Sequence, residues 1–180
     1  CLRSSLQTFL LSEERKHPHA TGSYTMVLSA LSLAAKFIAA RCRRARLEDV
    51  LGGMGAQNVQ GEDQQKLDVI ANEALVRALG SRKGVAILAS EEDDDVIVLR
   101  EDTSGERPYV VLFDPLDGSS NLDVCGSVGT IFSILQHDRR VADVRDSAHQ
   151  ARVHQVGAGD VLYGPTTVLV ITTGNGVSMF

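Results

Sequence analysis

Cysteine and concentrated positive charge are both scarce in this sequence, and each shortage excludes a class of protein. The three cysteines, Cys1, Cys42 and Cys125, are too few and too scattered for a disulfide framework or a zinc site, so we expect reduced thiols. The net charge is −5, and the basic cluster Arg41 to Arg46 is short, which suits a solvated helix end. A binder of nucleic acid concentrates Lys and Arg on one face, so we expect no nucleic-acid partner.

Long apolar runs are absent as well. No run approaches the roughly 20 residues that a membrane-spanning helix needs, and the N-terminus lacks the charged-then-apolar layout of a signal peptide. We therefore expect no membrane partner and a cytoplasmic location. The chain begins at Cys1 without an initiator Met and ends in the apolar segment Gly176 to Phe180, so we expect that a further piece of the protein is missing.

What is present is the composition of one globular domain, with 180 residues, of which 43% are hydrophobic and 23% are charged. Apolar residues recur at helical spacing from Thr21 to about Arg46, with Ser23 or Thr25 available as the N-cap, and predict an amphipathic helix. A second helix is predicted from about Glu62 to Leu79, where Gly80 stops it.

The rest of the chain is dominated by short β-type runs separated by polar loops. The predicted strands are Val85 to Ala89, Val96 to Leu99, Tyr109 to Phe113, Val128 to Leu135, Thr166 to Thr172 and Val177 to Phe180. The stretch Gln136 to Gln155 is interpreted as a polar excursion, and we expect all five histidines of the chain at the surface. Two early helices followed by closely spaced strands predict a layered α/β fold, with the N-terminal helices packed on a mixed, largely antiparallel sheet.

The most informative motif is the stretch Asp114-Pro-Leu-Asp-Gly-Ser-Ser-Asn121, which directly follows a predicted strand. Pro115 stiffens the turn, so that the carboxylates of Asp114 and Asp117, with the main-chain carbonyl of Leu116, can face one hard cation. Oxygen ligands favour Mg²⁺ or Mn²⁺ over zinc. The alternative for a bare Asp-Pro motif is a turn followed by an N-capped helix, and the full octad argues against it.

The second half of the same motif has the chemistry of a phosphate site. It combines a flexible backbone, whose N–H groups can converge, with small hydroxyl and amide donors. The residues concerned are Gly118, Ser119, Ser120 and Asn121. A predicted metal site therefore abuts a predicted phosphate site.

Acidic residues also follow the predicted strand Val85 to Ala89. Glu91 and Glu92 stand at the end of that strand, where one carboxylate can reach the same cation. We interpret Asp94 and Asp95 as a solvated acidic loop. An EF-hand beginning at Glu91 is a poor alternative, because its sixth position would need Gly and the sequence has Val96 there.

Asp68 lies at the edge of the apolar stripe of the second predicted helix. A carboxylate in that position is costly unless it is paired or protonated, so it is a candidate for acid or base chemistry. A satisfied structural Asp is the equally supported alternative.

Together these residues predict metal-assisted hydrolysis of a phosphate ester, without a Cys, Ser or His nucleophile. About two or three hard cations would lower the pKa of a water molecule that attacks the phosphate. The predicted ligands are Asp114, Asp117, Glu91 and Glu62. Glu92 or Asp68 would orient or deprotonate the water.

Four stretches together resemble class I fructose-1,6-bisphosphatase along nearly the whole chain. They are Asn58 to Val69, Ser90 to Asp93, Phe113 to Asp123 and Val128 to Phe132. The Asp-Pro-Leu-Asp-Gly-Ser core alone is shared with inositol monophosphatases and other lithium-sensitive metal phosphatases, so the extended matches decide. The resemblance implies the sugar phosphatase fold, with residues 1–180 as its N-terminal domain and the C-terminal domain absent.

The resemblance also implies roles for individual residues. The residues that match the metal ligands of the family are Glu62, Glu91, Glu92, Asp114, Leu116 and Asp117. Those that match its site for the 1-phosphate are Asp117 to Ser120, and the residue that matches Asp68 helps to activate water. The family hydrolyses fructose 1,6-bisphosphate to fructose 6-phosphate in gluconeogenesis and related carbon metabolism, as a homotetramer, so we expect a homo-oligomer.

Two departures from the family keep alternatives open. Beyond a segment like Gly176 to Phe180, the family has a second half that contacts the 6-phosphate and adds a metal-binding Glu. The family's AMP-inhibition site is matched only by Thr21, Gly22, Thr25 and Tyr109, and is not matched at Ser23, Pro108 and Gln136. The alternatives are a truncated non-catalytic homologue, or a metal phosphatase acting on sedoheptulose bisphosphate or an inositol phosphate.

Overall fold

A computed structural model of the chain describes residues 5–16, 20–57, 63–101, 108–137 and 155–180. Within these ranges three α-helices and one short 3₁₀ helix form. They are α1 (Leu6–Glu14), α2 (Ser23–Arg44), α3 (Lys66–Gly80) and the 3₁₀ helix (Ser119–Val124).

The described strands form a small ribbon and one large sheet. They are β1 (Gly53–Gln57), β2 (Asp63–Gln65), β3 (Val85–Ser90), β4 (Ile97–Val98), β5 (Tyr109–Asp117), β6 (Val128–Gln136), β7 (Gln155–Tyr163), β8 (Val168–Thr172) and β9 (Val177–Met179). Strands β1 and β2 pair with each other, and the other seven lie in the order β4-β3-β5-β6-β7-β8-β9. Among the described strands, β3 and β5 are the one parallel pair. The mixed, largely antiparallel sheet is therefore confirmed.

The helices cover one face of the sheet and form the main core with it. Helix α3 packs on β3 and β5, while α2 packs on α3 and on β7. Leu75 of α3, Leu88 of β3 and Val111 of β5 lie in one buried cluster. Burial of apolar surface is the main source of stability, and it contributes about 25 cal/mol per Å². The layered α/β architecture predicted from the order of elements is confirmed.

The apolar stretch of helix α2 is longer than the sequence pattern predicted. By length and composition it is able to cross a membrane, with a mean hydropathy of 1.4, so the expectation that no segment would approach that length was wrong. A buried core helix passes the same test, and 44% of the apolar window is buried within this domain. Length and composition are therefore weak evidence for a membrane span here.

Both predicted helices begin differently from the expectation. The N-cap of α2 is Gly22, in the left-handed region at φ 77°, instead of Ser23 or Thr25. The Thr25 hydroxyl donates to Glu14 Oε2 of α1 at 2.8 Å, so it is engaged by a helix that the sequence analysis did not predict. Helix α3 begins at Lys66 instead of Glu62, because residues 63–65 pair with β1 as strand β2.

In the described part of the chain, the other face of the sheet is open over the middle of β6 and β7, although Ala86, Ile87, Val110 and Leu135 form a small buried cluster on it. Ile131 of β6 and Leu162 of β7 are 49% and 47% exposed on it. A concavity of about 1120 Å³ lies over this face, bordered at one end by Asp117, Gly118 and Asn121. Strand β7, which supplies much of this face, was not predicted because its two glycines interrupt the β-type pattern.

One histidine corrects the expectation that all five lie at the surface. His137 is buried, and its backbone N–H donates to the Pro108 carbonyl at 2.9 Å, which extends the pairing of β5 with β6. The other four histidines lie outside the described residues. The thiol of Cys42 is half-buried, and burial raises its pKa to about 11, so little reactive thiolate forms at neutral pH.

Candidate active site

The parallel pairing of β3 and β5 brings the two predicted acidic strand ends together. Ser90 pairs with Phe113, and the Glu91 N–H donates to the Phe113 carbonyl at 3.1 Å. Parallel strands end at the same edge of a sheet, so Glu91 lies beside Asp114 although the two are far apart in the sequence. The structure brings these two carboxyl groups into contact.

Strand β5 does not end at Phe113, as predicted, but runs on through the motif to Asp117. Asp114 pairs with Ile131 and Asp117 pairs with Gly129, so Pro115 and Leu116 together lie opposite a single residue of β6. This arrangement is a β-bulge, which re-aims side chains next to a site. The structure therefore replaces both the predicted strand end and the alternative of a turn followed by a helix.

The pKa of the Asp114 carboxyl is strongly raised. Burial, a hydrogen bond with Glu91 and the charge of Glu91 raise its pKa from 3.8 to about 7, and the charge of Asp117 adds to the same direction. The Leu116 N–H donates to Asp114 Oδ1 at 3.0 Å and opposes the rise in pKa. Two acidic groups in contact favour sharing a proton, and a cation can take the place of that proton.

These residues fit a hard divalent cation, because carboxylate and carbonyl oxygens are the donors that Mg²⁺ and Mn²⁺ prefer. Among the described residues, no group of three or more His, Cys, Asp and Glu side chains is already arranged to hold a metal. Glu91 and Asp114 are in contact, Asp117 is exposed beside them, and Glu62 lies outside the described residues. The structure thus brings together part of the predicted ligand set.

The acidic loop after β3 is tied to α3. The Glu92 N–H donates to the Ser90 hydroxyl at 3.2 Å, and Asp93 Oδ1 accepts from Asn72 Nδ2 of α3 at 3.1 Å. Glu92 is half-buried in this loop, whereas Asp94 and Asp95 are exposed as predicted.

Asp68 is buried, at 3% exposure, in the first turn of α3. Its Oδ2 accepts from the Gln65 N–H at 2.7 Å, which makes it part of a capping box, and from the Ser119 hydroxyl at 3.1 Å. Asp68 therefore has a structural role, because it caps the start of α3. Its second contact also places this carboxylate against the predicted phosphate loop, where an acid or base would have to be.

The predicted phosphate loop leaves the sheet at Gly118. That residue has φ 75°, in the left-handed region that Gly adopts readily, and is followed by the 3₁₀ helix. Ser120 and Asn121 are exposed, and Asn121 Nδ2 donates to the Ser127 carbonyl at a long 3.4 Å. The loop therefore stands at the rim of the open concavity, with donors free to meet a ligand.

Sequence reasoning missed one group of residues behind the bulge. Thr130 is 1% exposed, and its hydroxyl contacts the Pro115 carbonyl and the Tyr163 hydroxyl, each at 2.7 Å. The available signal was a hydroxyl residue that alternates in register with the apolar Val128, Phe132 and Ile134. Such a residue has to find partners when it is buried.

The fold and the site define a layered α/β domain in which acidic side chains of β5 and of the loop after β3 adjoin a glycine-containing loop. Residues 4–180 match the family described as Fructose-1-6-bisphosphatase, N-terminal domain, and the chain belongs to that family.

Solved structures of one organism's enzyme are similar to this chain. The holo form of Leishmania major fructose-1,6-bisphosphatase superimposes with a TM-score of 0.86 at 34% identity, over 98% of this chain and 54% of that chain. The apo form gives a TM-score of 0.77 at 33% identity, over 98% and 52%. The T-state gives 0.76 at 32% identity, over 98% and 53%. This chain thus spans about half the length of those relatives.

The residues that partly match the AMP-inhibition site of the family lie in one pocket of about 430 Å³. Its lining includes Thr21, Gly22, Thr25 and Tyr109, together with Glu13 and Glu14. Among the described residues that line this pocket, two are acidic and none is Lys or Arg. A phosphate group would meet repulsion there, which agrees with the incomplete match in the sequence.

Proposed function

We propose that this chain carries the metal and scissile-phosphate half of a fructose-1,6-bisphosphatase. The proposed reaction is hydrolysis of the 1-phosphate of fructose 1,6-bisphosphate, giving fructose 6-phosphate and phosphate. The observation that carries the proposal is the contact between Glu91, directly after β3, and Asp114, within β5, across the parallel pair. Family membership supports the substrate.

The residues that would hold divalent cations are those that supply oxygen at this edge of the sheet. They are Glu91, Glu92, Asp114, the Leu116 carbonyl and Asp117, with Glu62 from outside the described residues. When bound, Mg²⁺ or Mn²⁺ ions would neutralise phosphate oxygens and make a water molecule more acidic.

The chain's own groups would then position the reactants. Glu92 and Asp68 would orient the attacking water or accept its proton, and the burial of Asp68 beside the predicted phosphate loop supports this role. The Ser119 hydroxyl, held by Asp68, links that carboxylate to the loop that receives the phosphate. Gly118, Ser120 and Asn121 provide donors for the phosphate oxygens at the rim of the concavity.

A second candidate function rests on the length comparison. The chain spans about half of the Leishmania major enzymes that it resembles, so residues equivalent to their remainder would be needed for the 6-phosphate. We therefore expect this chain alone to bind metal but to release phosphate slowly or not at all. A homo-oligomer and a cytoplasmic location remain part of the proposal.

The test measures Mn²⁺ binding by calorimetry and phosphate release from fructose 1,6-bisphosphate with Mg²⁺, on the chain alone. Asp117→Ala should weaken binding by about tenfold or more and remove any turnover, because it deletes a ligand. The matched control is Asp95→Asn, an exposed acidic residue in the neighbouring loop, which should change neither quantity.

The possible outcomes separate the candidates. Metal binding without turnover supports the second candidate, and turnover abolished by Asp117→Ala supports the first. Rapid hydrolysis by the chain alone would contradict our expectation of its low activity. A wild-type chain that binds no Mn²⁺ would overturn the proposed function itself.

A further inference from the structure

The bulge in β5 leaves one peptide group in need of support from outside the strand ladder. Pro115 has no N–H to give to the ladder, and its carbonyl lies where two residues of β5 face one residue of β6. The residue opposite is Thr130, whose hydroxyl donates to the Pro115 carbonyl at 2.7 Å. A buried carbonyl without such a partner would be costly, so this contact matters for the local geometry.

The peptide that joins Pro115 to Leu116 is held at both of its polar ends. Its carbonyl accepts from Thr130, and its N–H, which belongs to Leu116, donates to Asp114 Oδ1 at 3.0 Å. A peptide group is planar, so fixing the carbonyl direction also fixes the N–H direction. The Thr130 hydroxyl therefore sets where the carboxylate of Asp114 is anchored, without touching that carboxylate.

Behind Thr130 the hydrogen bonds continue to Tyr163 of β7. A threonine hydroxyl has one proton, and donation of that proton to Pro115 leaves its oxygen to accept from the Tyr163 hydroxyl at 2.7 Å. Tyr163 is buried, and burial raises its pKa above the usual value, so the phenol keeps its proton at neutral pH. The order of donation is therefore Tyr163 to Thr130 to Pro115.

Gly129 explains how β7 comes close enough for this contact. A Cβ at that position would lie 2.8 Å from the Val161 carbonyl oxygen, closer than real side chains approach. Without a side chain, β6 and β7 can pair tightly, and Tyr163 pairs with Val128 just beyond. The Gly129-Thr130 pair thus has a structural reason that the motif alone did not reveal.

We propose that Thr130, oriented by Tyr163, is a positioning residue that holds the Pro115–Leu116 peptide so that Asp114 is pre-arranged for a divalent cation. This inference rests on the proposed function, because it assumes that Asp114 is a metal ligand. It adds a role for the Val128 to Phe132 stretch, which the proposed reaction does not otherwise use.

The test compares the affinity of the chain for Mn²⁺ alone, measured by calorimetry, in variants that keep or remove the hydroxyl. Thr130→Val keeps the β-branched shape and should weaken Mn²⁺ binding by about tenfold, as losses of groups that orient ligands do. Thr130→Ser keeps the hydroxyl and should bind within about twofold of wild type. Rescue by Ser is a result that general loss of packing would not give.

A double variant separates positioning from stability. Thr130→Val leaves the Tyr163 hydroxyl unsatisfied, whereas Thr130→Val with Tyr163→Phe removes both hydroxyls and should regain part of the lost thermal stability. The inference requires that Mn²⁺ affinity stay about tenfold reduced in the double variant. Recovery of affinity together with stability would overturn it.

The remaining outcomes are also decisive. Wild-type affinity in a folded Thr130→Val chain would overturn the inference and leave the proposed function standing. Absence of Mn²⁺ binding in the wild-type chain would overturn both.

If neither Val variant folds, Tyr163→Phe alone carries the test. The expected loss of Mn²⁺ affinity is about threefold, because Thr130 keeps its bond to Pro115 but loses the hydrogen bond that it accepts from Tyr163. Unchanged affinity in Tyr163→Phe would then count against the inference.

Discussion

Asp114 to Asp117 and Gly118 to Asn121 adjoin each other in the chain, yet the first four residues lie within a sheet and the next four lie on its rim. The first segment is held by ladder pairing with β6 and by contacts of Thr130 and Glu91. The second has exposed side chains at Ser120 and Asn121, and its side chains are held by the hydrogen bond of Ser119 to Asp68 and by a long contact of Asn121 to Ser127.

This difference teaches that the two halves of the motif do different work. Metal ligands profit from being fixed before the ion arrives, because little ordering is then left for binding to bring about. A loop that receives a phosphate has to admit a substrate and release a product, which favours exposed donors. The rigid segment therefore corresponds to the metal half of the proposed site and the rim segment to the phosphate half.

The largest effect is expected from a substitution in the segment held within the sheet, Asp114 to Asp117. Asp114→Asn should weaken Mn²⁺ binding by about 100-fold or more, because loss of a direct ligand exceeds the loss caused by an orienting group. Ser120→Ala, in the rim segment, should leave Mn²⁺ affinity within about twofold by the same reasoning. Calorimetric titration of both variants checks the comparison, and equal losses in the two would show that the segments do not differ.

The next effect is the pH dependence of metal binding. With the pKa of Asp114 at about 7, only about 3% of this carboxyl is ionised at about pH 5.5, so Mn²⁺ should bind about 30-fold more weakly there than at about pH 8. Glu91→Gln should lower the pKa of Asp114, which carbon NMR of the carboxyl can follow in the metal-free chain. Affinity that stays flat across this range would contradict the prediction.

The stability of the metal-free chain should depend on pH in the opposite direction, and should fall as the pH rises. The folded-state pKa of Asp114 lies above its unfolded value, so protonation favours the folded state. That contribution is fully present below about pH 4 and is lost as the pH rises through about 7. Added Mn²⁺ should restore stability at the higher pH, which thermal unfolding with and without the ion can show.

The smallest effect concerns the junction between the segments. Gly118→Ala should lower the free energy of unfolding by about 1–2 kcal/mol, because Ala is strained at φ 75°, and should leave Mn²⁺ affinity nearly unchanged. A Cβ at Gly118 would also lie 3.1 Å from Asn121 Nδ2, whereas one at Gly174, with φ 95°, would meet nothing within 4 Å. Gly174→Ala is therefore the matched control, and chemical denaturation should show the smaller loss there.

Much of this site was predictable because its positions follow from local patterns. The apolar run Tyr109 to Phe113 predicted a strand leading into Asp114, and helical periodicity predicted that Asp68 would lie at a buried edge. The positions of Glu91 and Asp114 after apolar runs predicted that both could reach one cation, but the parallel pairing that brings them together was not predicted.

The parts that were missed depend on pairing that a sequence does not display. Pro115 suggested a turn, but pairing with β6 carries the strand through it as a bulge. Pairing with β1 delays the start of α3 beyond Glu62. Burial of Thr130 and His137 likewise follows from which strands lie beside them, and polar residue type alone argued the other way.

The parallel pairing of β3 with β5 has a consequence for how the chain folds. Glu91 and Asp114 become neighbours only when two non-adjacent stretches have found each other, and such non-local pairings are slow to form. A divalent cation that needs both residues cannot recognise the unfolded chain, so its binding free energy is added to that of the folded state. A bound cation would then indicate that the chain has completed folding, and it would also be required for the proposed hydrolysis.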